Sequence, residues 1–308
     1  MKHSSGNIMH YLKLVRYQNL LIVILTQIIV KFFIINKLCE HCSMLVSYFD
    51  FSLIVLTTVL IGAAGYAIND YFDIQIDRIN KPDKVLINKY IPRRNAIIIH
   101  AVFNIIAVIT TMFLAYQVRS LTIFAFMLFF IASLWLYSIK YKKVFLLGNL
   151  IVSANIAFAI LAVAVYEFYA ILNSNIQTNI MFLQITLVVA AFAFIINFSR
   201  EIIKDIEDIK GDMKYNCNTL PIKLGVKNAK AVTFFIILTL IFGIMYLSFK
   251  MNFVLFLNIF VYSFIIFPLL YSLLLIFKAK DKNDFRFISA LLKLIMLSGI
   301  LSMVILGI

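Results

Sequence analysis

Most of the fourteen acidic residues in this chain of 308 fall into two short windows. The first reads Asn69-Asp70-Tyr71-Phe72-Asp73-Ile74-Gln75-Ile76-Asp77-Arg78. The second reads Arg200-Glu201-Ile202-Ile203-Lys204-Asp205-Ile206-Glu207-Asp208-Ile209-Lys210-Gly211-Asp212. Asp70, Asp73 and Asp77 stand at i, i+3 and i+7, one face of a continuing helix, and Asp205, Asp208 and Asp212 repeat that spacing. Like charges stacked along a face repel, so such a stripe calls for cations. Oxygen-only ligands suit a hard divalent ion, and Mg²⁺ takes one or two carboxylates and completes its shell with water and phosphate oxygens. The chemistry implied is that of a diphosphate leaving group, neutralised by Mg²⁺ while Arg and Lys add contacts, so that a carbon–oxygen bond can break. The expected metal ligands are Asp70, Asp73, Asp77, Asp208 and Asp212, with Asp205 as a further catalytic carboxylate. A single aspartate here would read more readily as a solvated acid paired with a nearby Lys or Arg. The repetition of the spacing is what points to chemistry.

The elements that carry these residues are built for lipid. Hydrophobic residues make up 63% of the chain and the mean hydropathy is +1.00, against roughly 45–50% apolar residues in soluble domains. The apolar residues come in blocks of ~17–25, the length a helix needs to cross the hydrocarbon core. Nine spans are expected: Asn19–Asn36, Phe51–Ile68, Ala96–Tyr116, Leu121–Tyr137, Phe145–Tyr169, Met181–Phe198, Ala231–Phe249, Phe253–Phe277 and Phe287–Gly307. None alternates with the period of a strand, and a helix satisfies its own backbone in lipid. The fold class is therefore all-α, a polytopic bundle forming a single domain over residues 1–308.

Charge gives an orientation. With the N-terminus inside, nearly all Lys and Arg fall on the inner side; the exceptions are Lys31, Lys37, Arg119 and Lys250 outside and Lys293 within the last span. That asymmetry is the positive-inside pattern. It puts the N-terminus and both acidic windows on the cytoplasmic side of a cell (inner) membrane. The net charge of +14 then reflects topology, anionic headgroups and a phosphorylated substrate, and nucleic acid is not an expected partner. The first apolar block lacks a small-residue cleavage site and is expected to be retained.

At the acidic windows the chain resembles the UbiA superfamily of intramembrane prenyltransferases. Asn69, Asp70, Asp73 and Asp77 match its first signature, Asn-Asp-x-x-Asp-x-x-x-Asp, and Asp208 and Asp212 match its second, Asp-x-x-x-Asp. Arg16-Tyr17-Gln18-Asn19 is similar to the family's Arg-Pro-x-Asn entry to the first helix, with Tyr17 in place of proline. Tyr137-Ser138-Ile139-Lys140-Tyr141-Lys142 is similar to its Tyr and Lys pair near the diphosphate, although the spacing departs and either Lys140 or Lys142 could serve. The run from Arg200 to Asp212, followed by Thr219-Leu220-Pro221-Ile222, most resembles the geranylgeranylglycerol-phosphate geranylgeranyltransferase branch. The resemblance implies a nine-helix fold and Mg²⁺-dependent transfer of an isoprenoid from a prenyl diphosphate to a membrane-embedded or interfacial acceptor. A glycerol-phosphate hydroxyl is the first choice, with quinone-ring and haem acceptors open. It also implies substrate-binding roles for Arg16, Asn19, Asn69, Arg78, Tyr137, Lys140, Lys142 and Lys204.

Other features are weighed beside this. Cys39-Glu40-His41-Cys42 offers too few ligands for structural zinc and leaves a disulfide or incidental loop residues. Lys293 is expected to snorkel toward the headgroups. A metal-ion transporter would place acids near the midplane of inverted repeats. A CDP-alcohol phosphotransferase would carry an Asp-Gly-x-x-Ala-Arg signature, which the sequence lacks. A terpene cyclase of the same superfamily would ionise the same donor without an acceptor.

Overall fold

The computed structural model describes residues 7–39, 45–174, 180–251 and 254–306. They are helical, with no strand among the described residues beyond a lone bridge between Ile87 and Ile91. A short helix α1 (Ile8–Leu14) precedes α2 (Tyr17–Leu38). Then follow α3 (Tyr48–Asn80), α4 (Arg93–Gln117), α5 (Leu121–Ile139), α6 (Leu147–Ser174) and α7 (Met181–Glu207). The chain ends with the short α8 (Ile209–Lys214), α9 (Leu220–Lys250), α10 (Leu255–Lys278) and α11 (Lys282–Ile305). Nine of these, all but α1 and α8, are long and apolar enough to cross a membrane, one for each expected span.

Two helices run well past their apolar blocks. α3 continues about three turns beyond Ile68 to Asn80, carrying the first acidic window on unbroken helix. α9 starts at Leu220, before its apolar block at Ala231, because Pro221 at the helix start suits a position whose N–H needs no partner. Its backbone is interrupted at Gly225, whose φ of 82° is a conformation that side-chain-bearing residues rarely take.

The helices group into two compact units, Met1–Tyr141 with Phe158–Thr186, and Lys142–Ala157 with Leu187–Ile308. In the first unit α3 packs against α2, α4 and α5. A Cβ on Gly65 would lie 2.8 Å from Leu134 Cδ1, so the absence of a side chain lets α3 and α5 approach. At the acidic end of α3, Leu14, Ala67, Ile74, Ile87, Ile91 and Ala96 form a small buried core. It seats α1 and the loop before α4 against the helix that bears Asp70. In the second unit α9, α10 and α11 pack together around Ile203, Ile237, Leu269 and Leu292.

One feature departs from the charge map. Lys31 lies not in an outer flank but inside the first span, on a π-helical stretch Val30–Ile35, and is fully buried. Its ammonium donates to Glu167 of α6, also fully buried, in a pair that neutralises both charges. Next to it on α2, Gln27 donates to the Ala159 carbonyl at 2.7 Å and accepts from Thr58 at 3.0 Å. Cys39 at the end of α2 is buried and disulfide-bonded, which resolves the alternatives left open for it; Glu40, His41 and Cys42 lie outside the described residues.

Removing one partner of a buried ion pair strands the other charge at a cost of about 3–5 kcal/mol. Lys31→Met should therefore lower the melting temperature in detergent sharply, and Lys31→Met with Glu167→Met should recover most of the loss. Equal melting of Lys31→Met and wild type would show that the pair is not formed.

Candidate active site

In the first unit the acidic stripe sits on α3 with one neighbour already engaged. Arg16 occupies the junction of α1 and α2 in the left-handed region, φ 52° and ψ 52°, a conformation that costs a non-glycine residue about 1 kcal/mol or more. That turn aims its side chain at α3. Its Nη2 donates to Asp70 Oδ1 at 2.9 Å, and its guanidinium lies 4.8 Å from the centre of the Tyr66 ring, one turn earlier on α3. Asn19 of α2 donates to the Tyr66 hydroxyl at 3.3 Å. Desolvation works against the Arg16 charge, yet Asp70, Tyr66 and Asp77 outweigh it and hold the guanidinium above its ordinary range. Arg16, Asn19 and Asp70 are thus brought together, through a tyrosine that sequence reasoning missed.

The other residues expected in this unit are placed more loosely. Asp73 and Asp77 are half-buried on the same α3 stretch, Arg78 is exposed, Tyr137 is half-buried on α5, and Lys140 is exposed just after it. Asn69 differs, because its Oδ1 is buried and no donor among the described residues reaches it. An acceptor oxygen in that state is costly unless something positive meets it.

In the second unit the acids are not on one continuous helix. α7 ends at Glu207, Asp208 is the junction residue with φ −98° and ψ 5°, and α8 begins at Ile209. The expectation of a second uninterrupted stripe is corrected accordingly: Asp205 lies on α7, Asp208 at the break and Asp212 on α8. Asp and Gly favour helix less than most residues, and Asp208 and Gly211 stand where the helix gives way. Backbone bonds still cross the break, from Asp208 N to Lys204 O at 2.9 Å and from Asp212 N to Asp208 O at 3.2 Å.

The charges around this end are heavily partnered. Lys204, expected to meet substrate, donates to both Glu201 oxygens at 2.8 and 2.9 Å, and Arg200 reaches Glu201 Oε1 at 3.3 Å. Arg286 of α11 donates to Glu207 Oε1 at 3.2 Å. Asp205 accepts from Asn149 Nδ2 of α6 at 2.8 Å, a contact without a sequence signal beyond an asparagine in an apolar block. Lys142 is half-buried in the loop before α6.

Among the described residues no three His, Cys, Asp or Glu side chains converge as a preformed metal centre. The donor chemistry still fits Mg²⁺, which relies on one or two carboxylates and leaves the rest of its shell to water and phosphate. The undonated Asn69 Oδ1 beside Asp70 and Asp73 supplies an oxygen of the right kind.

The model of the UbiA prenyltransferase family matches residues 43–297. The digeranylgeranylglyceryl phosphate synthase of Pyrococcus abyssi is 34% identical over 181 residues, 59% of this chain and 59% of that protein, so the match spans less than two thirds of its length. The synthase of the same name from Korarchaeum cryptofilum is 28% identical over 260 residues, covering 83% of this chain and 86% of that one. A solved structure of a digeranylgeranylglyceryl phosphate synthase superposes with a TM-score of 0.65 at 24% identity, over 96% of this chain and 98% of that one. A UbiA homologue from Archaeoglobus fulgidus, bound to GPP and Mg²⁺, superposes with a TM-score of 0.59 at 16% identity, over 96% and 99%. Both share the fold described above.

The contact between Arg16 and Asp70 can be tested alone. The pair is partly exposed, so its coupling is discounted to about 0.5–1 kcal/mol. A double-mutant cycle of Arg16→Met and Asp70→Asn, read by melting in detergent, should return a coupling of that size. A value of zero would remove the pair.

Proposed function

Because the chain belongs to the UbiA prenyltransferase family, we propose that it moves an isoprenoid chain from a prenyl diphosphate, such as geranylgeranyl diphosphate, to a glycerol-phosphate hydroxyl, forming an ether lipid. The observation that carries the reading is the oxygen-rich end of α3, with Asn69, Asp70, Asp73 and Asp77 in consecutive turns and Arg16 held among them. The relatives named for digeranylgeranylglyceryl phosphate synthesis favour the glycerol-phosphate acceptor. The homologue bound to GPP and Mg²⁺ favours the donor and the ion.

In this reading Asp70, Asp73, Asp77, Asp208 and Asp212 would hold Mg²⁺, and Asn69 would add an amide oxygen. When bound, Mg²⁺ neutralises the diphosphate and makes it a better leaving group. The carbon–oxygen bond to the allylic carbon breaks with its electron pair leaving on the diphosphate. The acceptor oxygen forms the new bond to that carbon and gives up its proton to the released diphosphate. Arg16, Arg78, Lys140, Lys142 and Lys204 are the cations available to the diphosphate oxygens, with Asn19 and Tyr137 as polar contacts, and Asp205 is the further carboxylate of the site. The apolar spans keep water from the reacting carbon, which would otherwise capture it. The basic inner flanks support a cytoplasmic N-terminus and a cytoplasmic-side site in the cell membrane, with residues 1–308 acting as one transferase domain.

Purified protein incubated with Mg²⁺, labelled geranylgeranyl diphosphate and a panel of glycerol-phosphate, quinone-ring and haem acceptors should yield a prenylated glycerol phosphate by mass spectrometry. A cyclised hydrocarbon would make it a terpene cyclase, and metal flux into proteoliposomes without diphosphate would make it a transporter. Asp73→Ala and Asp208→Ala should each abolish turnover while leaving melting near wild type, and EDTA should do so reversibly. Full activity under either condition would overturn the metal–diphosphate reading.

A further inference from the structure

The second unit holds a polar seam that runs to Asp205 through residues the reaction as described does not use. Asn149, buried in the first turn of α6, donates to Asp205 Oδ2 at 2.8 Å. One turn on, Ser153 donates to the Asn149 carbonyl at 2.7 Å and accepts from Asn197 of α7 at 3.2 Å. These side chains are apolar-block residues by position, and each buried amide or hydroxyl there would cost stability if left without a partner. Together they fix α6 against α7 at two depths, the inner point being the carboxylate of Asp205.

The same turn of α6 is where the inner basic loop joins the helix. The chain enters α6 through Leu146, whose φ of 56° makes a sharp corner. Just before it, the Lys143 carbonyl accepts from Asn218 N at 2.8 Å, from the segment that follows α8. The Phe145 ring lies 5.6 Å from the Lys223 ammonium, and Phe145 and Leu146 pack on the core that includes Ile203, Ile206 and Leu220. The loop bearing Lys142 is thus tied to the acidic end of α7 and α8 from both sides, and Asn149 reaches Asp205 itself.

We propose that Asn149 is a positioning residue for the reaction. By donating to Oδ2 of Asp205 it fixes the carboxylate and holds the Lys142 loop in register with Asp205, Asp208 and Asp212. The inference rests on the reading of these acids as a metal–diphosphate site. A carboxylate anchored through one oxygen loses its rotational freedom, and the neutral amide that anchors it brings no counter-charge. Partners of this kind typically cost about 10- to 100-fold in metal affinity or activity when removed.

The test uses Mn²⁺ as the probe, followed by electron paramagnetic resonance, alongside steady-state kinetics with geranylgeranyl diphosphate and melting in detergent. Asn149→Leu should weaken Mn²⁺ binding and lower kcat by about 10- to 100-fold, with a smaller change in the donor KM. Asn149→Ser, which leaves space for a bridging water, should fall between that variant and wild type and serves if Asn149→Leu does not fold. The exchange Asn149→Asp with Asp205→Asn restores a carboxylate–amide pair of reversed sense. It should recover the melting temperature but not Mn²⁺ affinity, which separates placing the charge from holding the helices together. If wild type binds Mn²⁺ and the folded variants match it in affinity, kcat and KM, the positioning role is overturned while the site reading stands. If wild type binds no Mn²⁺, both fall.

Discussion

A carboxylate carried on a membrane-spanning helix must meet a counter-charge or a donor, because lipid offers neither and the cost of a bare charge exceeds what packing returns. Most of the polar architecture of this chain follows from that constraint. Glu167 has Lys31, Asp70 has Arg16, Glu201 has Arg200 and Lys204, Asp205 has Asn149, and Glu207 has Arg286. All but the Glu201 pairs join different helices. The acids therefore fasten helices together as well as presenting charge, and the helices that carry them cannot shift without stranding an ion.

The same constraint explains what could be read from the chain beforehand. The nine spans were legible because their hydrophobicity is continuous and each block has helical length. The first acidic stripe was legible because α3 continues unbroken past Ile68, so spacing in sequence translates directly into one face. The second stripe has the same spacing, yet the helix gives way at Asp208, where weak helix formers meet a crowd of charges. Spacing alone cannot report whether the helix that carries it runs unbroken.

What stayed hidden are the partners. Lys31 looked like an outer flanking charge because its counter-ion lies 136 positions away in sequence, and no local pattern encodes that distance. Tyr66 sits at i−4 from Asp70, so its place beside the stripe could have been found, but its use as a platform for Arg16 depends on the left-handed turn at Arg16. Asn149 reads as an ordinary polar residue in an apolar block until α6 and α7 are laid side by side. Site residues that carry charge announce themselves by composition, whereas the residues that aim them are known only from packing.

The two acidic ends are anchored by opposite means, and the difference bears on how each would meet a cation. Arg16 brings a full positive charge to Asp70. In the second unit the cations Arg200 and Lys204 are engaged by Glu201, and Asp205 is met by the neutral amide of Asn149. Ionic attraction scales with the uncompensated charge and is strongest where water is scarce. The charged anchor at Asp70 compensates the carboxylate it holds, whereas the neutral anchor at Asp205 orients the carboxylate without bringing a counter-charge.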